Sequence, residues 1–188
     1  AGLESLVQVQ HANATELPFP DNSFDVVINE AMLTMLPLAN KEMAVAEYFR
    51  VLKPGGVLLT HDVVVSEHNT EEAVERLRDT IQVKVTPLTE SAWTDLFHRS
   101  GFRDITTISG GMTLLSPRGL IYDEGWRRAF QIVRNALKAE NRETFKRMCR
   151  TFNDPAKPMG YIAVHSGIGS LTAVYGLSLI HISEPTRL

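Results

Sequence analysis

Apolar and polar positions change period several times along the chain. Leu6-Val7-Gln8-Val9-Gln10 alternates and predicts a strand. From His11 to Ser23, two prolines, Asn13 and the Asp21-Asn22 pair predict a loop. Phe24-Asp25-Val26-Val27-Ile28 is a short apolar run, the pattern of a strand buried on both faces. Lys41 to Leu52 carries Val45, Phe49 and Leu52 at helical spacing, with Lys41, Glu42, Glu47 and Arg50 off that stripe. Lys53-Pro54-Gly55-Gly56 ends the helix, because a glycine takes the left-handed step just past it and Pro54 cannot continue it. Val57 to Thr60 resumes as strand and extends to about Val65.

The second half continues the alternation. Asn69-Thr70-Glu71-Glu72 opens a helix with the spacing of a capping box, and Ala73, Leu77 and Ile81 mark its inner side. Ser91 to Ser100 is a helix with Trp93, Leu96 and Phe97 inward, stopped by Gly101. Phe102 to Ser109 is a β-branched strand. Trp126, Phe130, Val133 and Leu137 define a long helix with its aromatics at core spacing, and Phe145, Met148 and Phe152 a shorter one. Met159 to Ser166 is the last strand, expected to run antiparallel. Strands alternating with helices predict an α/β fold, an open and mostly parallel sheet with helices on both faces. Such sheets hold ligands beyond the carboxyl ends of their strands. That directs attention to Asn13-Ala14, Asn29-Glu30-Ala31 and His61-Asp62.

Composition narrows the picture a little. The 188 residues suffice for one domain with an ordinary core. A net charge of −3 is too small to imply a polyanion as partner of the chain as a whole. A basic run from Arg127 to Arg150 keeps a local grip on RNA phosphates or an acidic substrate open, against the plainer reading of a solvated helix face. The single cysteine, Cys149, excludes an internal disulfide and a cysteine-based zinc site, reads as a helix core residue and fits a reducing cytosol. No metal site is expected, and no apolar run reaches the ~18 residues of a membrane span.

Three motifs between His11 and Asp62 carry a family likeness. Ala12-Asn13-Ala14-Thr15-Glu16-Leu17-Pro18-Phe19, Ser23-Phe24-Asp25-Val26-Val27 and Val51-Leu52-Lys53-Pro54-Gly55-Gly56 stand in order and at family spacing. In these the chain resembles the class I S-adenosylmethionine-dependent methyltransferases, among them the ubiquinone and menaquinone enzymes. The resemblance implies a Rossmann-like sheet and methyl transfer from S-adenosylmethionine to a small-molecule acceptor. It also implies cofactor contacts at Asn13, Ala14, Asn29 and Glu30. Asn13 stands where the family usually has an acid facing the adenine amino group, and its amide oxygen accepts in the same way; alternatively it is only a turn residue. Glu30 faces cofactor or substrate, or is a solvated acid at a helix start. Candidate bases are Glu30, Asp62 and His61, with His165 behind them, although histidines near strand ends are more often structural.

Two acceptor types are disfavoured. Asn29-Glu30-Ala31-Met32 lacks the Asn/Asp-Pro-Pro-aromatic turn that accompanies methylation of base amino groups, and Cys149 is remote from the motifs that a pyrimidine-carbon enzyme would need beside its nucleophile. The rivals to small-molecule transfer are an RNA methyltransferase that uses residues 127–150 and a non-catalytic α/β remnant acting through partner contacts.

The family's glycine-rich turn and ribose-binding acid have no counterpart before His11, so the resemblance implies a domain lacking its first strand-helix units. The expected organisation is a partial Rossmann-like methyltransferase domain over residues 1–166, with 122–152 a helical, lid-like insertion, and a tail over 167–188. Leu177 to Arg187, within LSLIHISEPTRL, resembles the translated read-through of a transposase adapter used in sequencing libraries, so 177–188 is set aside from fold reasoning. Without the glycine turn and the ribose acid, this 188-residue chain is expected to bind S-adenosylmethionine weakly and to be inactive by itself. Calorimetric titration checks this; micromolar affinity would overturn it.

Overall fold

The computed structural model describes residues 6–68, 70–112, 117–154, 156 and 159–168. Its central element is a long strand, β2 (Leu52–Val65), whose side chains alternate between two faces. Leu58, Thr60, Asp62 and Val64 are buried on one face, while Val57, Leu59, His61 and Val63 are only half-buried on the other. β1 (Phe24–Glu30) pairs parallel to β2, and α1 (Leu38–Val51) joins the two. After β2 come α2 (Thr70–Ile81), the two-residue β3 (Leu88–Thr89), α3 (Glu90–Arg99), β4 (Arg103–Gly111), α4 (Pro117–Ala136), α5 (Ala139–Phe152) and β5 (Met159–Gly167).

The sheet order is β1-β2-β5-β4, with β3 paired to the end of β2. β5 runs antiparallel between β2 and β4, so the other four strands share one direction. The open, mostly parallel sheet is the one the alternation predicts, and its reversed final strand fits the Rossmann-like arrangement that the family resemblance implies. On the first face Val45 and Tyr48 of α1 and Trp93 and Phe97 of α3 close over Leu58, Ile162 and Val164. On the second face a smaller cluster joins Val65 and Met159 to Ala73 and Leu77 of α2 and Phe152 of α5. Farther back that face is open, with Val26, Ile28 and Ile108 exposed.

Several expectations are corrected. Val7 to Gln10 is not a strand: no neighbour pairs with it among the described residues, and Leu6, Val7 and Val9 are exposed. β1 is buried on one face only, and Ile28 on the other is 71% exposed. Lys41, placed off the apolar stripe by its charge, is fully buried. Trp126, Phe130, Val133 and Leu137 point out of the core, because α4 turns the small side chains of Ala129 and Ala136 inward instead. Asn69 of the predicted capping box and residues 177–188 lie outside the described residues.

Lys53–Gly56 follows the end of α1 as its sequence predicts, but it lies within β2, which starts at Leu52 and not at Val57 and has an irregular register against β1. Leu52 N–H closes α1 on the Tyr48 carbonyl, and Gly55, at φ 80°, turns the chain into the sheet. The tightest approach lies elsewhere, where Gly160 and Gly111 face each other across β5 and β4. A Cβ on Gly160 would collide with the Gly110 carbonyl oxygen, a backbone atom that cannot swing aside. Gly160→Ala is therefore expected to cost about 1–3 kcal/mol, read as a lower urea midpoint at unchanged m-value.

Candidate functional site

The parallel tips of β1 and β2 meet at Glu30 and His61, which are register partners. Both side chains lie on the open second face. The Glu30 carboxylate meets Nδ1 of His61 at 2.7 Å. A carboxylate only accepts, so Nδ1 carries the proton and Nε2 is left as the basic nitrogen. The Tyr161 ring stands edge-on to the imidazole, with ring centroids 5.5 Å apart. Gly110 is the register partner of Tyr161 on β4, and a Cβ there would stand 3.2 Å from the ring. Tyr161 thus bridges His61 to the end of β4. The sequence reading missed it; the signal was a tyrosine opposite the Gly110-Gly111 pair on the neighbouring strand.

Asp62, one residue along, points to the opposite, closed face and is buried. Its Oδ2 accepts from Thr34 N–H at 3.2 Å and its Oδ1 from Val63 N–H at 2.8 Å. Asp62 therefore holds the β1–α1 connection, and the alternation of β2 separates it from His61. Lys41 supports the same loop, donating from Nζ to the Leu36 carbonyl at 2.6 Å and to Thr86 Oγ1. Burial pushes the Lys41 pKa down to about 8, partly opposed by the charge of Asp62. Burial likewise raises the Tyr48 hydroxyl to about 12, with Asp62 adding to the rise.

Asn29 belongs to this closed face. Tyr48 Oη donates to its Oδ1 at 3.4 Å, while its Nδ2 is buried without a partner among the described residues. Ala31 N–H bonds to the His61 carbonyl at 2.8 Å. In the alternation of a parallel ladder this turns the Asn29 carbonyl toward β2 and the Glu30 carbonyl off the sheet edge. Among the described residues, Glu30 is the one of the two whose carbonyl is left as a free backbone acceptor there.

The Asn13 loop is pinned to α1. Leu17 N–H donates to Glu47 Oε2 at 2.7 Å, and Arg50 donates to the Phe19 and Leu17 carbonyls and to Asp21. The hydrogen bond from Arg50 holds the Glu47 carboxyl below its ordinary pKa. Within the loop, Asn13 Oδ1 accepts from Thr15 N–H at 3.1 Å and Thr15 Oγ1 at 3.0 Å, an Asx-type turn. Ala14 is half-buried against the first core.

Beyond the carboxyl end of β2 lies an open cleft of about 340 Å³, lined by Val65, Glu67, Glu90, Ser109, Gly110 and Met159 among others. Its carboxylates are engaged. Glu90 accepts from Thr107 and Ser109, and Glu67 from the amide and hydroxyl of Ser91, which hold the Glu67 carboxyl below its ordinary pKa. His165 lies on the second face opposite Leu59. Cys149 is half-buried on α5, and burial raises its thiol pKa. No cluster of three metal-ligating side chains occurs among the described residues.

Residues 1–60 match the family model described as a methyltransferase domain. A Haemophilus influenzae protein known only as uncharacterized is 58% identical over 165 residues, which cover 88% of this chain and 66% of that protein. A ubiquinone/menaquinone biosynthesis C-methyltransferase UbiE of Shewanella pealeana is 37% identical over 86 residues, 46% of this chain and 32% of the enzyme. This chain thus spans just under two thirds of one relative and about a third of the other. A crystal structure from Galdieria sulphuraria, provisionally named a sarcosine dimethylglycine methyltransferase, superposes with a TM-score of 0.69 at 19% identity. That match covers 89% of this chain and 62% of the other, and it shows the fold.

The lysine under the β1–α1 loop gives the fold a pH signature. Lys41 has a folded pKa of about 8 against an ordinary 10.5, so between those values the unfolded chain binds more protons. Its contribution to stability is therefore expected to rise as the pH climbs through that interval. Urea unfolding of wild type and Lys41→Met across the interval checks this; the stability-versus-pH slopes should differ by the lysine's share, and identical slopes would contradict it.

Proposed function

We propose that this chain, whose residues 1–60 match the methyltransferase domain family and whose fold is that of the class I methyltransferases, belongs to an enzyme that transfers a methyl group from S-adenosylmethionine to a small-molecule acceptor. The observation that carries the reading is the Glu30–His61 pair at the joined tips of two parallel strands, where open α/β sheets hold their ligands. When bound, S-adenosylmethionine supplies an electrophilic methyl group on a sulfonium. At the β1 tip the outward Glu30 carbonyl suits a ligand that carries a donor, and Asn29 is assigned to the cofactor beside it. Asn13 and Ala14 are assigned to the adenine side, with Asn13 Oδ1 shared with its own turn.

In this reading His61 is the general base and Glu30 its orienting partner. Glu30 fixes the imidazole so that Nε2 takes the proton lost by the acceptor as its nucleophilic atom is methylated. Tyr161 supports the ring from the side of the cleft. The cleft has the volume of a small-molecule site. Asp62, on the opposite face, positions the loop that follows Glu30. We place the protein in the cytoplasm, where its single cysteine suits a reducing milieu.

The test uses the longest reading frame that contains residues 1–176 and follows transfer of labelled methyl from S-adenosylmethionine. His61→Ala is expected to lower kcat by about 10²–10⁴, with cofactor affinity unchanged. Glu30→Gln should give a smaller loss in the same direction. A wild-type rate in His61→Ala would overturn the assignment.

A further inference from the structure

We infer that α4 is a docking edge for an anionic lipid surface. Gly125, at φ 72°, breaks the helix, and the stripe begins at the next residue. An α-helix turns about 100° per residue, so Trp126, Phe130, Val133 and Leu137 fall within roughly 60° of one another. They form one row along the helix, and they are exposed: Trp126 by 76%, Phe130 by 69% and Leu137 by 68%. The side of the helix that meets the protein is a different one, carrying the buried Ala129 and Ala136.

Arg127 and Arg134 form a second row, about 90° round from the apolar one by the same turn angle, and Lys138 follows at the end of the helix. All three are exposed, and they pair with no carboxylate among the described residues. The segment from Glu124 to Arg150 holds eight Arg or Lys and three Glu, a local charge of +5 in a chain whose net charge is −3. A row of Trp, Phe and aliphatic side chains beside a row of arginines is the pattern of a helix lying in a membrane interface, with its apolar row among the acyl chains and its cations at acidic headgroups. No helix among the described residues is long and apolar enough to cross a membrane, so α4 lies on the surface. An RNA partner would use the basic row and leave Val133 and Leu137 without a role. A second copy of this chain would bring its own +5 segment against the first.

The experiment mixes the 188-residue chain with phosphatidylcholine vesicles, with or without about 30% phosphatidylglycerol, and measures cosedimentation. Binding is expected only with phosphatidylglycerol and should weaken as salt is added. Trp126→Glu with Phe130→Glu should weaken it about tenfold or more, and Arg127→Glu with Arg134→Glu should remove the preference for acidic lipid. Ile28→Glu, on the exposed face of β1, should change nothing. Brominated acyl chains should quench Trp126, since Trp93 is fully buried. Four outcomes would overturn the inference: no binding to acidic vesicles; binding that survives the Trp126/Phe130 change or is lost with Ile28→Glu; salt-sensitive binding of poly(U) without vesicle binding; or self-association that shields Trp126.

Discussion

The bond from Thr34 N–H to the buried Asp62 carboxylate sets the geometry of everything at the strand tips. A carboxylate under a closed sheet face is costly unless its oxygens are occupied. Two backbone amides occupy them, and Lys41 lies near enough to feel the charge. In return the connection between β1 and α1 is tied at three points: Thr34 to Asp62, the Thr34 carbonyl to Thr86 N–H, and the Leu36 carbonyl to Lys41 and Thr86. Ala31, at φ 50°, occupies a left-handed conformation that a residue with a Cβ adopts only when its surroundings impose it. That step swings the chain off β1 immediately after Glu30 and leaves the carboxylate beside His61.

The sheet divides this work between its faces. On the first, Asn29, Thr60, Asp62 and Thr34 form a buried polar layer under α1, and Asn29 Nδ2, Thr60 Oγ1 and Thr34 Oγ1 lack partners among the described residues. On the second, the same strands show Glu30, His61 and Tyr161. Adjacent residues thus face opposite ways: Asp62 into the closed face and His61 into the open one. The division follows from the two-residue period of a strand, and no property of the isolated His-Asp dipeptide reveals it.

Much of the fold was legible because its signals are local. Pro54 with Gly55, Gly101 after Ser100, and the Trp93-Leu96-Phe97 spacing each fix an element without reference to its neighbours. The errors share one cause, dependence on partners distant in sequence. Leu6 to Gln10 alternates like a strand, yet alternation needs a neighbour to pair with. Lys41 reads as polar, yet the Leu36 carbonyl and Thr86 hydroxyl make its burial tolerable. Glu47 and Arg50 look like solvated charges on α1, whereas they clamp the Asn13 loop through backbone groups some thirty residues earlier. In the site, Glu30 and His61 were each visible as candidates, but their contact depends on the β1–β2 register, and Tyr161 enters only through the antiparallel return of β5.

α4 shows the same limit from the other side. Its apolar row repeats at three and four residues, as a core-facing helix does. Periodicity identifies a common face but not what that face meets. Here the alanines, which contribute little to any hydrophobic pattern, take the core contact because they allow close approach. Two apolar sides on one helix, with a cationic row next to the outer one, form a three-sided element. A helix buried in a core would not set unpaired arginines beside its apolar row, where desolvation would cost several kcal/mol per charge. That arrangement is stable where the apolar row meets an apolar phase and the cations stay at its wet, negatively charged boundary.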